Sequence, residues 1–421
     1  MGTHAEDDSV NASPAYKKYL LAVLMLILAF NFADRMALGI LLQEIKTDLS
    51  LSDTQLGVLT GIAFALFYAV MGIPIARWAD RGNRVAIIAV TAGLWSIAVT
   101  LCGTARTFLQ LLCARIGVAV GEAGGVPPAI SLISDFFARA DRARAVSRYM
   151  LGMQLALLIG YLAAGWWNQF FGWRTAFAVL GLPSLILALL AKLTLREPRT
   201  EKSPRHESAR TDPSFVALPS RGNGQSIKSV CTTLWRNVAF RHLLICFSIW
   251  YFFGYGVLQW TPAFFIRTYG LGTGQLGVLL AAVYGVCGAI GVYLGGELAA
   301  RFAAGNERLQ LVACAVAFVV FPAVNAFAFL APNVSLAFFA LGVACLGNMA
   351  QGPILSTMQT LVPAQMRAMS VAVTYLFANL IGMGLGPLTA GILSDLLHPR
   401  FGEQSLRYAL VLLCQIGRAH V

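Results

Sequence analysis

The chain has 421 residues, of which 58% are apolar and 12% charged, against roughly 45–50% and about 25% in a water-soluble domain. That balance excludes an ordinary soluble globule. The formal net charge of +12 would suit a nucleic-acid partner only if the basic residues shared one face, and their distribution along the chain decides otherwise.

The polar, acidic tail 1–16 is followed by an apolar run too long for the core of a cleavable leader, so the first span is expected to stay in the protein. Runs able to cross a hydrocarbon core of roughly 30 Å, at about 1.5 Å per residue, lie at 17–42, 54–76, 85–104, 107–137, 143–170 and 173–195. A segment rich in Ser, Pro, Arg and Lys, 196–236, reads as a linker. Further runs follow at 240–268, 273–301, 308–331, 333–361 and 367–397, and a twelfth starts near 405. The expectation is an all-α membrane protein with six-helix bundles at 17–195 and 237–415, the second ending in an incomplete span. Residues 416–421 resemble a translated sequencing-library adapter, and the natural chain is expected to continue beyond Gln415.

Placing alternate loops on opposite sides puts 22 Lys and Arg on the side of the N-terminus and six on the other: Lys46, Arg106, Arg174, Arg267, Arg400 and Arg407. The positive-inside rule makes the N-terminus and the linker cytoplasmic, and this topology accounts for the charge with no nucleic acid. The eight cysteines are scattered without metal or redox spacing and read as packing residues. His4, His206, His242, His398 and His420 lie outside span centres, so no catalytic constellation, cofactor or metal is expected.

An internal repeat sets the architecture. Gln55-Leu-Gly-Val-Leu59 recurs as Gln275-Leu-Gly-Val-Leu279, an offset of 220 residues that also carries Arg81 onto Arg301. Further on, Gly160-Tyr-Leu-Ala-Ala-Gly165 parallels Gly386-Pro-Leu-Thr-Ala-Gly391. Two parallel six-span halves around a midplane site are the plan of many secondary transporters. Gly160, Gly165, Gly384, Gly386 and Gly391 are expected to let helices approach, with a hinge at Gly386-Pro387 as the alternative.

The loop Ala76-Arg-Trp-Ala-Asp80-Arg81-Gly-Asn83-Arg84 resembles the signature loop of the major facilitator superfamily, with Ala76 in place of the usual first glycine. Asn31-Phe-Ala-Asp34-Arg35 and Arg115-Ile-Gly-Val-Ala-Val-Gly-Glu122-Ala resemble its spinster-type branch. In the signature loop, Asp80 and Arg81 belong to a gate in which Asp80 is expected to pair with Arg84 or Arg144 in one gate position. Asp80 falls on Ala300 in the second half, so gating is expected to be asymmetric.

Charge inside a span is costly and marks function. Asn31, Asp34 and Arg35 share one helix face, as do Arg115 and Glu122, about two turns or roughly 10 Å apart. Asp34 and Arg115 come out at similar depth and are expected to pair, while Glu122 reaches Arg35 only if that side chain points downward. The arginines are assigned to an anionic head group, since guanidinium forks grip carboxylate and phosphate. Glu122, or second to it Asp34, would bind a proton in the empty site and release it when an arginine is free to pair.

Under the repeat, Asp34 and Arg35 fall on Gly254 and Tyr255, and Arg115 and Glu122 near Ala340 and Gly347, leaving the second half uncharged at this depth. Tyr251, Tyr255, Gln259, Trp260, Tyr284, Asn348, Gln351, Tyr375 and Asn379 offer aromatic faces and neutral hydrogen bonds there. Such a site suits an anionic head on an apolar body. The expected function is proton-coupled transport of a lysolipid or sphingoid-phosphate-like molecule, which the spinster-type resemblance also implies. The rival is a proton symporter for a sugar acid or aromatic carboxylate. A monomer in a bacterial inner membrane is expected.

Overall fold

The computed structural model describes residues 12–138, 141–198, 232, 234–303, 306–363 and 366–419, apart from the side chains at 80, 81, 143, 367–369, 418 and 419. The helices are α1 (Pro14–Leu49), α2 (Asp53–Ala79), α3 (Arg84–Cys102), α4 (Phe108–Phe136), α5 (142–171), α6 (173–194), α7 (Val238–Tyr269), α8 (Thr273–Phe302), α9 (Glu307–Leu330), α10 (Val334–Thr360), α11 (367–401) and α12 (Ser405–Ala419). Among the described residues, ten stretches are long and apolar enough to cross a membrane, and two of them, Arg144–Thr194 and Ser370–Gly417, fold back on themselves. These two folds, at Gly172 (φ 79°) and Gly402 (φ 53°), turn ten stretches into twelve helices. A positive φ is strained for residues carrying a Cβ, which is why glycine closes both turns.

Polar residues start the helices where the apolar pattern begins. Ser13, Ser52, Asn83, Thr107, Asn237, Asn306 and Asn333 each accept a backbone N–H of the first turn of the following helix, and Ser52 with Gln55 completes a capping box. The core is a continuous cluster running through both halves, with Leu38, Leu41, Trp95, Phe177, Phe247 and Phe264 fully enclosed. Leu66, Val70, Ile186, Leu193, Val316 and Phe339 point outward, as lipid-facing residues do when the surrounding solvent is hydrocarbon.

The halves meet along two seams built from the repeated sequence. On one, α5 packs on α8: a Cβ on Gly277 would stand 2.3 Å from the Tyr161 carbonyl oxygen, and Thr273 Oγ1 donates to the Gly165 carbonyl at 3.0 Å. On the other, α2 packs on α11: a Cβ on Gly57 would stand 2.8 Å from the Pro387 carbonyl oxygen, and one on Gly391 would stand 2.3 Å from that of Asp53. Of the matched glycines, Gly57, Gly165, Gly277 and Gly391 are points of close approach between the halves, whereas Gly160 and Gly386 pack on α1 and α7 of their own halves. Both seams run from the midplane to the face opposite the N-terminus, here called the far side, and close the molecule there.

Candidate functional site

The fourth helix is interrupted beside its acid. Helical geometry ends at Glu122 and resumes at Val126, and a Cβ on Gly125 would lie 3.6 Å from Asn31 Nδ2. Broken helices at membrane depth are tolerated where they line a cavity. Here the break sets Glu122 against α1. Arg35 Nε donates to Glu122 Oε2 at 2.8 Å, and its Nη2 contacts the same oxygen. Arg115 Nη1 donates to Asp34 Oδ2 at 3.0 Å. Asp34, Arg35, Arg115 and Glu122 are 2%, 5%, 1% and 0% exposed.

The four charges thus form two crossed pairs, and Arg35 does reach Glu122. Each pair is incompletely bonded. Asp34 Oδ1, Arg115 Nε, Glu122 Oε1 and both side-chain polar atoms of Asn31 have no protein partner among the described residues. A buried polar atom left so costs roughly 1–3 kcal/mol, which favours a proton or a polar ligand atom at these positions. The arginines are also stacked on aromatic rings. The Arg35 guanidinium lies 4.3 Å from the Phe32 ring centroid, 4.5 Å from Phe64 and 5.0 Å from Tyr68, and Arg115 lies 5.1 Å from Phe64. Phe64 bridges the two cations.

The opposite wall comes from the second half. Tyr251, Tyr255 and Tyr375 form a ring cluster with centroids 5.7 and 6.2 Å from Tyr251, and Gln351 Nε2 donates to the Tyr251 hydroxyl at 3.0 Å. Three helices lose α-geometry near this depth: α8 has a π turn at Ala281–Cys287, α10 a 3-10 turn at Leu346–Ala350, and α11 a π turn at Ala378–Leu385. Such turns cluster at functional sites because they re-aim side chains. The last brings Met383 Sδ to 3.7 Å from Arg35 Nη1, and it ends at Gly386-Pro387, where a hinge was the alternative reading.

Two residues expected in this wall do other work. Trp260 is fully enclosed and donates Nε1 to the Pro387 carbonyl at 2.9 Å, so it ties α7 to α11 instead of facing cargo. Its indole N–H needed an acceptor, and the packed backbone supplied one. Gln259 faces the first half, donating Nε2 to the Arg35 carbonyl at 3.3 Å.

The expected gate falls partly outside the described side chains. The side chains of Asp80 and Arg81 lie outside the described residues. Arg84 is fully buried and bonds Glu197 (2.5 Å), Asp135 (2.7 Å) and the Ser131 carbonyl (3.1 Å). It therefore anchors the start of the linker to α3 and α4. Arg144 is exposed and approaches Asp141 at 3.7 Å.

The far side carries a latch that sequence reasoning missed. Asp53, 2% exposed, accepts Lys46 at 2.7 Å from its own half, then both Nη1 and Nη2 of Arg267 at 2.7 Å and Ser394 at 2.6 Å from the other. Asp395 caps the start of α2, accepting the Asp53 and Thr54 amides at 3.1 and 2.7 Å, where a carboxylate complements the helix dipole. The repeat offset gives no hint of it, because Asp53 falls on Thr273 and Arg267 on Thr47. The only available signal was that opposite charges ended up on facing loops.

Comparison with known proteins agrees with this geometry. The sequence profile of the Major Facilitator Superfamily matches residues 24–398. The chain is 33% identical over 395 residues to an MFS-type efflux pump of Mycolicibacterium smegmatis, covering 93% of this chain and 88% of that protein. It is 26% identical over 312 residues to a probable galactarate/D-glucarate transporter of Bacillus subtilis, covering 69% and 67%. Among solved structures, a bacterial homolog to the human lysosomal transporter Spinster, inward-facing and unoccupied, superposes with a TM-score of 0.83 at 28% identity over 97% of both chains.

Proposed function

We propose a transport cycle from one premise: this chain belongs to the Major Facilitator Superfamily, and it is an integral membrane transporter, not an enzyme. The cargo is an organic anion, and the reading is carried by the Arg35–Glu122 pair, a buried cation held by one carboxylate oxygen at the boundary between the halves. The distribution of basic residues supports a cytoplasmic N-terminus and linker, and the bacterial relatives support an inner membrane. With the far side latched, the cargo reaches the site from the cytoplasmic side in this conformation.

An arriving carboxylate or phosphate competes with Glu122 for the Arg35 fork. Glu122 then loses its counter-charge while still buried, and taking a proton on Oε1 relieves it. Anion and proton are then bound together and cross together. This order differs from the one read from sequence, in which the empty site held the proton; the pairing of Glu122 with Arg35 supports the reverse. Asp34, bonded to Arg115, holds α1 to α4.

The aromatic wall of Tyr251, Tyr255 and Tyr375, with the likeness to the Spinster homolog, supports an amphipathic cargo such as a lysolipid or a sphingoid phosphate. A small organic anion such as a sugar acid or aromatic carboxylate is the second reading, supported by the amides behind that wall and by the relative named for galactarate and D-glucarate. Competition between long-chain and short-chain anions separates the two. For coupling, proteoliposomes with an imposed pH gradient are the test: Glu122→Gln is expected to abolish gradient-driven accumulation while leaving exchange of cargo intact. Full accumulation by the variant would sink the role of Glu122.

A further inference from the structure

Behind Tyr251 and Tyr255 lies a recess of about 230 Å³ enclosed by α7, α8, α9 and α10. Its walls are aromatic, but amides also line it: Asn325, Asn348 and Gln351. Asn325 sits on α9, which lies away from the seams, and is 8% exposed, with an Oδ1 that no described residue bonds. Asn348 is presented by the 3-10 turn of α10 and makes no hydrogen bond to a described residue. Tyr284, on the π turn of α8, also lines the recess and donates its hydroxyl to Thr261 at 3.1 Å. Tyr255, which lines the recess, lies one helical turn or roughly 6 Å along α7 from Gln259, which touches the Arg35 backbone.

This lining is poorly suited to an alkyl chain. Methylene groups against Asn325 would displace any polar partner of its carbonyl oxygen and offer none in return. A hydroxyl both donates and accepts, as the carboxamide does, so each hydroxyl can satisfy one amide pole. The aromatic faces then cover the carbon skeleton.

We propose that this recess binds a hydroxylated, uncharged body attached to the anionic end held at Arg35, which decides between the two cargo readings above in favour of the second, a polyhydroxylated anion, over the alkyl one. The inference rests on the anion site described above. Two six-carbon carboxylates that differ only in hydroxylation, gluconate and hexanoate, test it on the purified full-length protein in detergent, by isothermal titration. Gluconate is expected to bind about tenfold tighter or better, and Asn325→Leu to weaken gluconate about tenfold while leaving hexanoate unchanged. Asn348→Ala gives the same readout if the leucine variant does not fold. Equal binding of the two anions, or gluconate affinity indifferent to both substitutions, overturns the recess as a hydroxyl site while the anion reading stands. A long-chain alkyl phosphate binding tightly where gluconate does not also overturns it. If no anion of any kind binds and Arg35→Ala changes nothing, the anion reading itself falls.

Discussion

Arg35 joins the charges to the aromatic rings, because two of its nitrogens reach Glu122 Oε2 and its flat face rests on Phe32, Phe64 and Tyr68. Lysine would keep the charge but lose both the bidentate geometry and the ring stacking. Arg35→Lys is therefore expected to weaken anion binding by about tenfold or more with little change in thermal stability, read by titration calorimetry beside a melting curve; unaltered affinity would remove Arg35 from the site. Arg84 is the opposite case, a buried cation whose task is structural. Arg84→Ala removes the guanidinium that joins Glu197, Asp135 and Ser131 and should lower the melting temperature clearly, whereas Glu197→Gln should lower it less. Equal melting curves for Arg84→Ala and the parent would refute that anchoring. At this scale the four buried charges were legible because hydrocarbon makes a charge conspicuous. Phe64, Tyr68 and Asn325 were not, since an aromatic or amide in a membrane helix is ordinary until its neighbours are known. Trp260 was misread for the same reason: its apolar body suits a cavity wall or a packed seam equally well.

Among the helices, the departures from regular geometry are unevenly shared. The first half breaks α2 at Gly61 and α4 beside Glu122, whereas the second interrupts α8, α10 and α11. Sequence periodicity cannot show such turns, because one inserted or removed hydrogen bond shifts the phase of an apolar run that is apolar all round. The seams, by contrast, were legible as matched glycines, and their packing role follows from the carbonyl oxygens that stand where a Cβ would go. The charged latch joins α2 to α7 and α11. Asp53→Asn removes the charge that holds Arg267 and Lys46 together, and is expected to shift the carrier toward far-side-open forms. Labelling of single cysteines buried along the far-side seam should then speed up severalfold; unchanged labelling would mean the glycine seams alone hold the far side shut.

Taken whole, the molecule is an all-helical bundle whose spanning helices followed from apolar run length, since a bilayer leaves a chain few other ways to satisfy its backbone. What run length could not supply was the relation between the halves, which depends on loops and on contacts between residues more than 200 positions apart, such as Asp53 and Arg267. The latch has one more consequence. Lys46 and Arg267 offset Asp53 and Asp395, just as Arg35 and Arg115 offset Asp34 and Glu122. Rocking the two halves therefore moves no net charge of these two clusters through the membrane field, in which each unpaired charge would feel about 2.3 kcal/mol per 100 mV. Electrical work in the cycle is then set by the cargo alone: one monovalent anion with one proton should cross at a rate indifferent to a clamped membrane potential, whereas a dianion with one proton should be driven by voltage toward the positive side.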